Sequence, residues 1–208
     1  FGHVGRPCAG SGDGARIGMD AGEAARQAAS PGTRIIAVNP ADGPPSIEGY
    51  FDEVFAIPGM IGEMQKRPTA SACVIACFDD TGLDAARCVG DMPVVGIGEA
   101  AFHMASLIAG KFSVVTTLSR SVPAIEHNLA RYGLASRCAR VRASDVPVLE
   151  LEMPGSNARH RISEEIERAI RDDRAEAIVA DSKSVRLPMP FSPATSRVRA
   201  SWPTAMRA

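Results

Sequence analysis

Short apolar runs recur along the chain, separated by longer segments in which apolar and polar residues mix. Residues 33–39 (Thr-Arg-Ile-Ile-Ala-Val-Asn), 71–77 (Ser-Ala-Cys-Val-Ile-Ala-Cys), 93–97, 112–117 and 175–180 are mostly apolar, and several are rich in Val and Ile. That is the pattern of strands covered on both faces. Helices are expected between them: 80–90 after Asp79-Asp80-Thr81, 99–109 after a glycine pair, 121–132 closed by Gly133, and 156–173, rich in Glu, Arg and Ile. Strands alternating with helices predict an α/β fold of βα units on a largely parallel sheet. The stretch from Asn39 to Tyr50 holds Pro40, Pro44 and Pro45 with Gly43 and Gly49. It reads as a rigid loop at a strand end, where such sheets bind ligands.

The two ends break the pattern. Residues 1–22 carry seven glycines and no apolar periodicity where a first strand is expected. After Asp181 there is no Asp or Glu, and Pro188, Pro190, Pro193 and Pro203 alternate with Arg186, Arg197, Arg199 and Arg207. The chain therefore divides into an atypical N-terminal segment (1–27), an α/β region (28–182) and a Pro/Arg-rich tail (183–208), with both ends expected to be flexible.

Composition narrows the class of function. At 208 residues the chain can bury a core of one large or two small domains. A formal net charge of -1 gives no footprint for nucleic acid or an anionic membrane. No apolar run approaches the ~20 residues that span a bilayer, and the N-terminus lacks the apolar core of a signal peptide. A cytoplasmic protein with a small-molecule partner is expected, with no nucleic acid and no membrane; a homo-oligomer stays open. The five cysteines, Cys8, Cys73, Cys77, Cys88 and Cys138, are an odd number without zinc-ligand pairing. No disulfide framework, metal or other cofactor is expected.

Cys77 ends an apolar run and is followed by Phe78-Asp79-Asp80-Thr81-Gly82, which opens a helix. A thiol there is placed at the strand-end cleft, and an adjacent helix N-terminus favours the thiolate, the form that acts as a base. Asp79 and Asp80 oppose this, although either could cap the helix. On this reasoning Cys77 is the most reactive thiol, while Cys73, Cys88 and Cys138 read as small buried hydrophobes. Thr116-Thr117 ends another expected strand, with Leu118-Ser119-Arg120-Ser121 leading into a helix. Two hydroxyls with helix amides suit a carboxylate or an imide carbonyl; strand propensity and an ordinary cap explain the same residues equally well. Glu99 and His103, at i and i+4, can form a proton-handling pair or a surface feature. Gly96-Ile97-Gly98-Glu99-Ala100-Ala101 fits a dinucleotide-binding fingerprint, but Thr116 and Thr117 stand where its acidic partner belongs. It reads instead as a tight strand-to-helix turn.

From about Ala28 to Val179 the chain resembles the hydantoin racemase branch of the aspartate/glutamate/hydantoin racemase family. The resemblance is carried by Val38-Asn39-Pro40 through Gly43-Pro44-Pro45-Ser46-Ile47-Glu48-Gly49-Tyr50, by Ala76-Cys77-Phe78-Asp79-Asp80-Thr81-Gly82-Leu83-Asp84-Ala85-Ala86-Arg87, by Pro93-Val94-Val95-Gly96-Ile97-Gly98-Glu99-Ala100-Ala101 and by Phe112-Ser113-Val114-Val115-Thr116-Thr117. It implies two similar α/β lobes with mainly parallel sheets flanked by helices. It also implies a cofactor-independent racemase of 5-substituted hydantoins or related amino-acid derivatives, in which one cysteine removes the proton at the chiral carbon and a second returns one. Cys77 matches the first cysteine, and Phe78, Asp79, Thr116 and Thr117 inherit substrate binding by position. The proton lies beside a carbonyl that delocalises the carbanion, so a thiolate with a pKa of about 7–8 could remove it without a metal.

Two features depart from the family. Residues 1–22 lack its first strand and Asn-Pro-Asn-Thr-like loop, and Ala180-Asp181-Ser182-Lys183 stands where a Cys-Ala-Gly-Met-Ala-Asp-like turn should carry the second cysteine. A shifted reading frame over Arg197 to Pro203 could encode Cys-Ala-Gly-Val-Met-Ala-Asp, so a frame change would explain both ends. With a single base the chain is expected to exchange the proton of one enantiomer and to invert it very slowly, unless His103 or Asp181 serves as the second acid. The alternative is a family member that binds such a ligand without racemising it.

Overall fold

The structure, a computed structural model, describes residues 21–153 and 155–181. Cys8, most of the atypical N-terminal segment and the Pro/Arg-rich tail lie outside the described residues. The rest forms two units that divide after Ile97, each built on a parallel sheet flanked by helices, as the alternation of runs predicts.

In the first unit, residues 21–28 are helical (α1) and are followed by an irregular stretch. Helix α2 (Tyr50–Gln65), strand β1 (Cys73–Ile75), helix α3 (Leu83–Val89) and strand β2 (Val94–Gly96) complete it. β1 and β2 pair in parallel, with Cys73 beside Val94 and Ile75 beside Gly96, and α3 is their crossover. The Arg87 guanidinium donates to the Val94 carbonyl at 3.1 and 3.2 Å, tying the crossover to the second strand.

Two expectations fail in this unit. Residues 33–39 form no strand: Ile36 and Val38 are exposed, and no described strand runs beside them. An apolar run becomes a strand only when a neighbour takes up its amides and carbonyls. Residues 50–65, in contrast, are helical although no helix was expected there. The helix continues through Pro58.

The second unit runs α4 (Ile97–Ile108), β3 (Phe112–Thr116), a 3-10 turn (Ser119–Ser121), α5 (Val122–Arg131), β4 (Cys138–Ala143), a 3-10 turn (Val148–Glu152), α6 (Ala158–Asp172) and β5 (Ala177–Ala180). Its sheet has the order β4-β3-β5, all parallel. β3 is central, and all five of its residues, Ser113 and Thr116 included, are buried, as a strand covered on both faces requires. On one face Val115 and Ile178 pack with Ile162, Ile166 and Ala169 of α6. The spacing of Ala158, Ile162, Ile166 and Ala169 makes one buried stripe on an otherwise charged helix. Phe112 stacks on Phe102 of α4, ring centroids 6.2 Å apart.

β4 was not expected. In Cys-Ala-Arg-Val-Arg-Ala only Val141 is fully buried, because β4 lies at the edge of the sheet among the described residues. Arg142 makes a two-pronged ion pair with Asp173 at 2.7 Å on both prongs and reaches Glu165 at 3.3 Å. Ser113 donates to the same Asp173 at 3.0 Å. The pair holds Asp173 well below the usual carboxylate range. Among the described residues no helix is long and apolar enough to cross a membrane.

Candidate active site

The expected site residues fall into two groups, one in each unit. Cys77, Phe78 and Asp79 lie in the turn after β1. Thr116 and Thr117 lie at the end of β3.

In the first group the chain leaves β1 and folds into consecutive turns: the Asp80 amide donates to the Cys77 carbonyl at 3.1 Å, and the Leu83 amide to the Asp80 carbonyl at 3.0 Å. Asp80 takes a left-handed backbone, φ 52. Asp79, Asp80 and Thr81 are buried, and Cys77 and Phe78 are half-buried. Two glycines permit this packing. Gly82, φ 72, lies under Ile57 and Met60 of α2, and a Cβ at Gly96 would overlap the Asp80 carboxylate. The first glycine of the Gly-x-Gly pattern therefore makes room for an aspartate.

The Cys77 sulfur lies 3.3 Å from the Thr81 hydroxyl. Burial, reinforced by the neighbouring Asp79 charge, pushes the thiol up to about 12, against the Thr81 hydroxyl and the backbone amides of Asp79 and Thr81. This reverses the expectation of a thiolate favoured by a helix end. α3 begins only at Leu83, its N-cap is Gly82, and no side chain caps it. Asp79 and Asp80 are thus not the caps considered from sequence, and the helix dipole, which acts within the first turn, starts too far along the chain to offset desolvation. Cys73 and Cys138 are half-buried, whereas Cys88 is exposed on α3 and is not the buried hydrophobe expected.

In the second group Thr116 and Thr117 are buried at 1% and 2% exposure. Their carbonyls accept the amides of Ser144 and Val146 at 3.0 and 3.1 Å, and the Ser144 hydroxyl donates to both. The Asp145 carboxylate accepts the Ser119 amide at 3.1 Å. Ser144 and Asp145, which sequence did not single out, thus pin the turn that follows β3. Asp181 is drawn in from the end of β5. Its amide donates to the Val115 carbonyl at 2.9 Å, and burial pushes its carboxyl up to about 6 against the opposing pull of the Thr117 hydroxyl. The Thr116 hydroxyl is buried with no hydrogen-bond partner among the described residues. Glu99 and His103 lie in α4, with His103 exposed.

Residues 20–180 match the profile of the Asp/Glu/hydantoin racemase family. The chain belongs to that family. It is 49% identical over 149 residues to a hydantoin racemase of Rhizobium meliloti, covering 71% of this chain and 62% of that protein. It is 43% identical over 158 residues to a hydantoin racemase of Pseudomonas sp. (strain NS671), covering 75% and 64%. The chain thus spans less than two thirds of the length of these relatives. Among solved structures it is similar to an allantoin racemase from Klebsiella pneumoniae (TM-score 0.77, 43% identity, 80% of this chain and 69% of that one). It is also similar to an allantoin racemase from Pseudomonas fluorescens (TM-score 0.77, 38% identity, 82% and 73%). The racemase family fold accounts for both parallel sheets.

Proposed function

We propose that this chain racemises hydantoins substituted at carbon 5 without a cofactor, Cys77 being one of its proton-transfer groups. The observation that carries the reading is a thiol at the carboxyl end of a parallel strand, within reach of the Thr81 hydroxyl, in a chain that shares 49% identity with a hydantoin racemase. Allantoin is itself a hydantoin with a ureido group at carbon 5, so both names among the relatives point to one ring. Breaking the C5–H bond leaves its electron pair delocalised onto the adjacent carbonyl oxygen as an enolate. Phe78 and Asp79 beside Cys77, and Thr116 and Thr117 in the second unit, are assigned to substrate binding. With the thiol pushed up to about 12, Cys77 rests protonated at neutral pH, and only its thiolate fraction can take the C5 proton onto sulfur.

The test is to incubate each pure enantiomer of a 5-substituted hydantoin in D₂O and to follow optical rotation and deuterium at carbon 5 together. Deuterium uptake, abolished by Cys77→Ser, is expected, with loss of rotation only where a second proton-transfer group works. Uptake by one enantiomer without loss of rotation would mark a member with one working proton-transfer group. If neither occurs, the racemase reading is refuted.

A further inference from the structure

We propose that Thr81 is a positioning residue for Cys77, its hydroxyl donating to the sulfur and supporting the thiolate that takes a ligand's proton. The proposal rests on the reading of Cys77 as a proton-transfer group.

Two consecutive turns bring Thr81 back to the strand end. The Asp80 amide donates to the Cys77 carbonyl at 3.1 Å and the Leu83 amide to the Asp80 carbonyl at 3.0 Å, with Asp80 and Gly82, the neighbours of Thr81, both left-handed at φ 52 and 72. Thr81 is 3% exposed, and its hydroxyl oxygen lies 3.3 Å from the Cys77 sulfur. That distance alone leaves the donor undecided; the surroundings decide it. Among the described residues the Thr81 hydroxyl has no other hydrogen-bond partner. If the thiol donated, the hydroxyl hydrogen would be buried without an acceptor, which costs its full desolvation penalty. A thiol is also the weaker donor of the two. The hydroxyl therefore donates, and the hydrogen or the free lone pairs of the sulfur stay available to a ligand.

This direction matters for the chemistry. A hydrogen bond to a charged acceptor is roughly twice as strong as one to a neutral acceptor, so the same contact favours thiolate over thiol, against burial and the Asp79 charge. When the C5–H bond of a ligand breaks, the proton goes to the thiolate sulfur and the electron pair to the adjacent carbonyl oxygen, and Thr81 keeps its hold on a sulfur that is now neutral. If Thr81 served only to fill the turn, a valine of nearly the same shape would serve as well.

Thiol–disulfide exchange with an aromatic disulfide, resolved by peptide mass, tests this, with exposed Cys88 as the internal reference. Thr81→Val should leave about tenfold less thiolate at Cys77; with a Brønsted slope of about 0.45, its exchange should slow about threefold at every pH from 7 to 10 while Cys88 is unchanged. Thr81→Ser, which keeps the hydroxyl, should stay near the wild-type rate. Loosening of the turn would act in the opposite direction, because a less buried sulfur ionises more readily and exchanges faster. Thr81→Ala, which also lacks the hydroxyl, carries the test if thermal melts show that the valine variant does not fold. For deuterium uptake at carbon 5 of a 5-substituted hydantoin, kcat should fall in Thr81→Val with KM unchanged. The proposal is overturned if Cys77 exchanges at the wild-type rate or faster in the variants without the hydroxyl, or if Thr81→Ser slows it as much as they do. The expected exchange rates with no deuterium uptake by the wild type would refute the racemase reading and leave the support of Cys77 by Thr81 standing.

Discussion

The reactivity of Cys77 is the point at which sequence reasoning and tertiary structure give opposite answers, so its size is worth working out. A thiol at about 12 is about one part in 10⁴ thiolate at pH 8, whereas an ordinary thiol near 8.5 is about one quarter ionised. The loss in thiolate is about 2 × 10³-fold. A more basic thiolate is a better nucleophile, and with a Brønsted slope of about 0.45 the difference of about 3.5 units returns roughly 40-fold. The net expectation is that Cys77 reacts about 50-fold more slowly with an aromatic disulfide than an ordinary exposed thiol, before any loss from restricted access. Exposed Cys88 should therefore be modified first. The assay is thiol–disulfide exchange sampled over time and resolved by peptide mass, repeated from pH 7 to 10. The Cys77 rate should rise about tenfold per pH unit across the whole range. A rate matching that of Cys88 at pH 8, or a plateau below pH 9, would refute the reasoning and restore a stabilised thiolate.

Two further predictions concern the frame that carries the site. Asp173→Asn removes one partner of a pair whose side chains are 7% and 11% exposed and should cost about 3 kcal/mol, the low end for breaking a buried ion pair, because Glu165 still faces Arg142; denaturant melts measure it. Asp173 is depressed when folded, so its contribution is fully present above its unfolded value of about 3.9 and is lost as pH falls through the folded value; the variant should lose that part of the acid dependence, and an unchanged profile would contradict the assignment. Gly96→Ala drives a Cβ into the Asp80 carboxylate and should destabilise by about 1–3 kcal/mol; a neutral melt would show that the turn after Cys77 yields without cost.

The sequence by itself determined what depends on short-range pattern. The run at Phe112–Thr116 read as a strand covered on both faces and is one, and Ala158, Ile162, Ile166 and Ala169 could share a face only as a helix. The alternation of such segments gave the α/β class, and the runs around Cys77 and Thr116-Thr117 carried the family resemblance. Tertiary structure decided whatever depends on a neighbour remote in sequence. Residues 33–39 have strand composition but no described strand beside them, while Cys138–Ala143, interrupted by Arg140 and Arg142, is a strand because β3 takes up its hydrogen bonds. Asp181 could be considered from sequence only as an alternative acid; its amide is held by Val115 because β5 lies alongside β3. The Cys77 thiol is governed in the same way. Its residue type and strand-end position were legible, but a pKa reports the balance of burial, charges and hydrogen bonds around one atom, and that balance was set by where Asp79, Thr81 and the first turn of α3 come to rest.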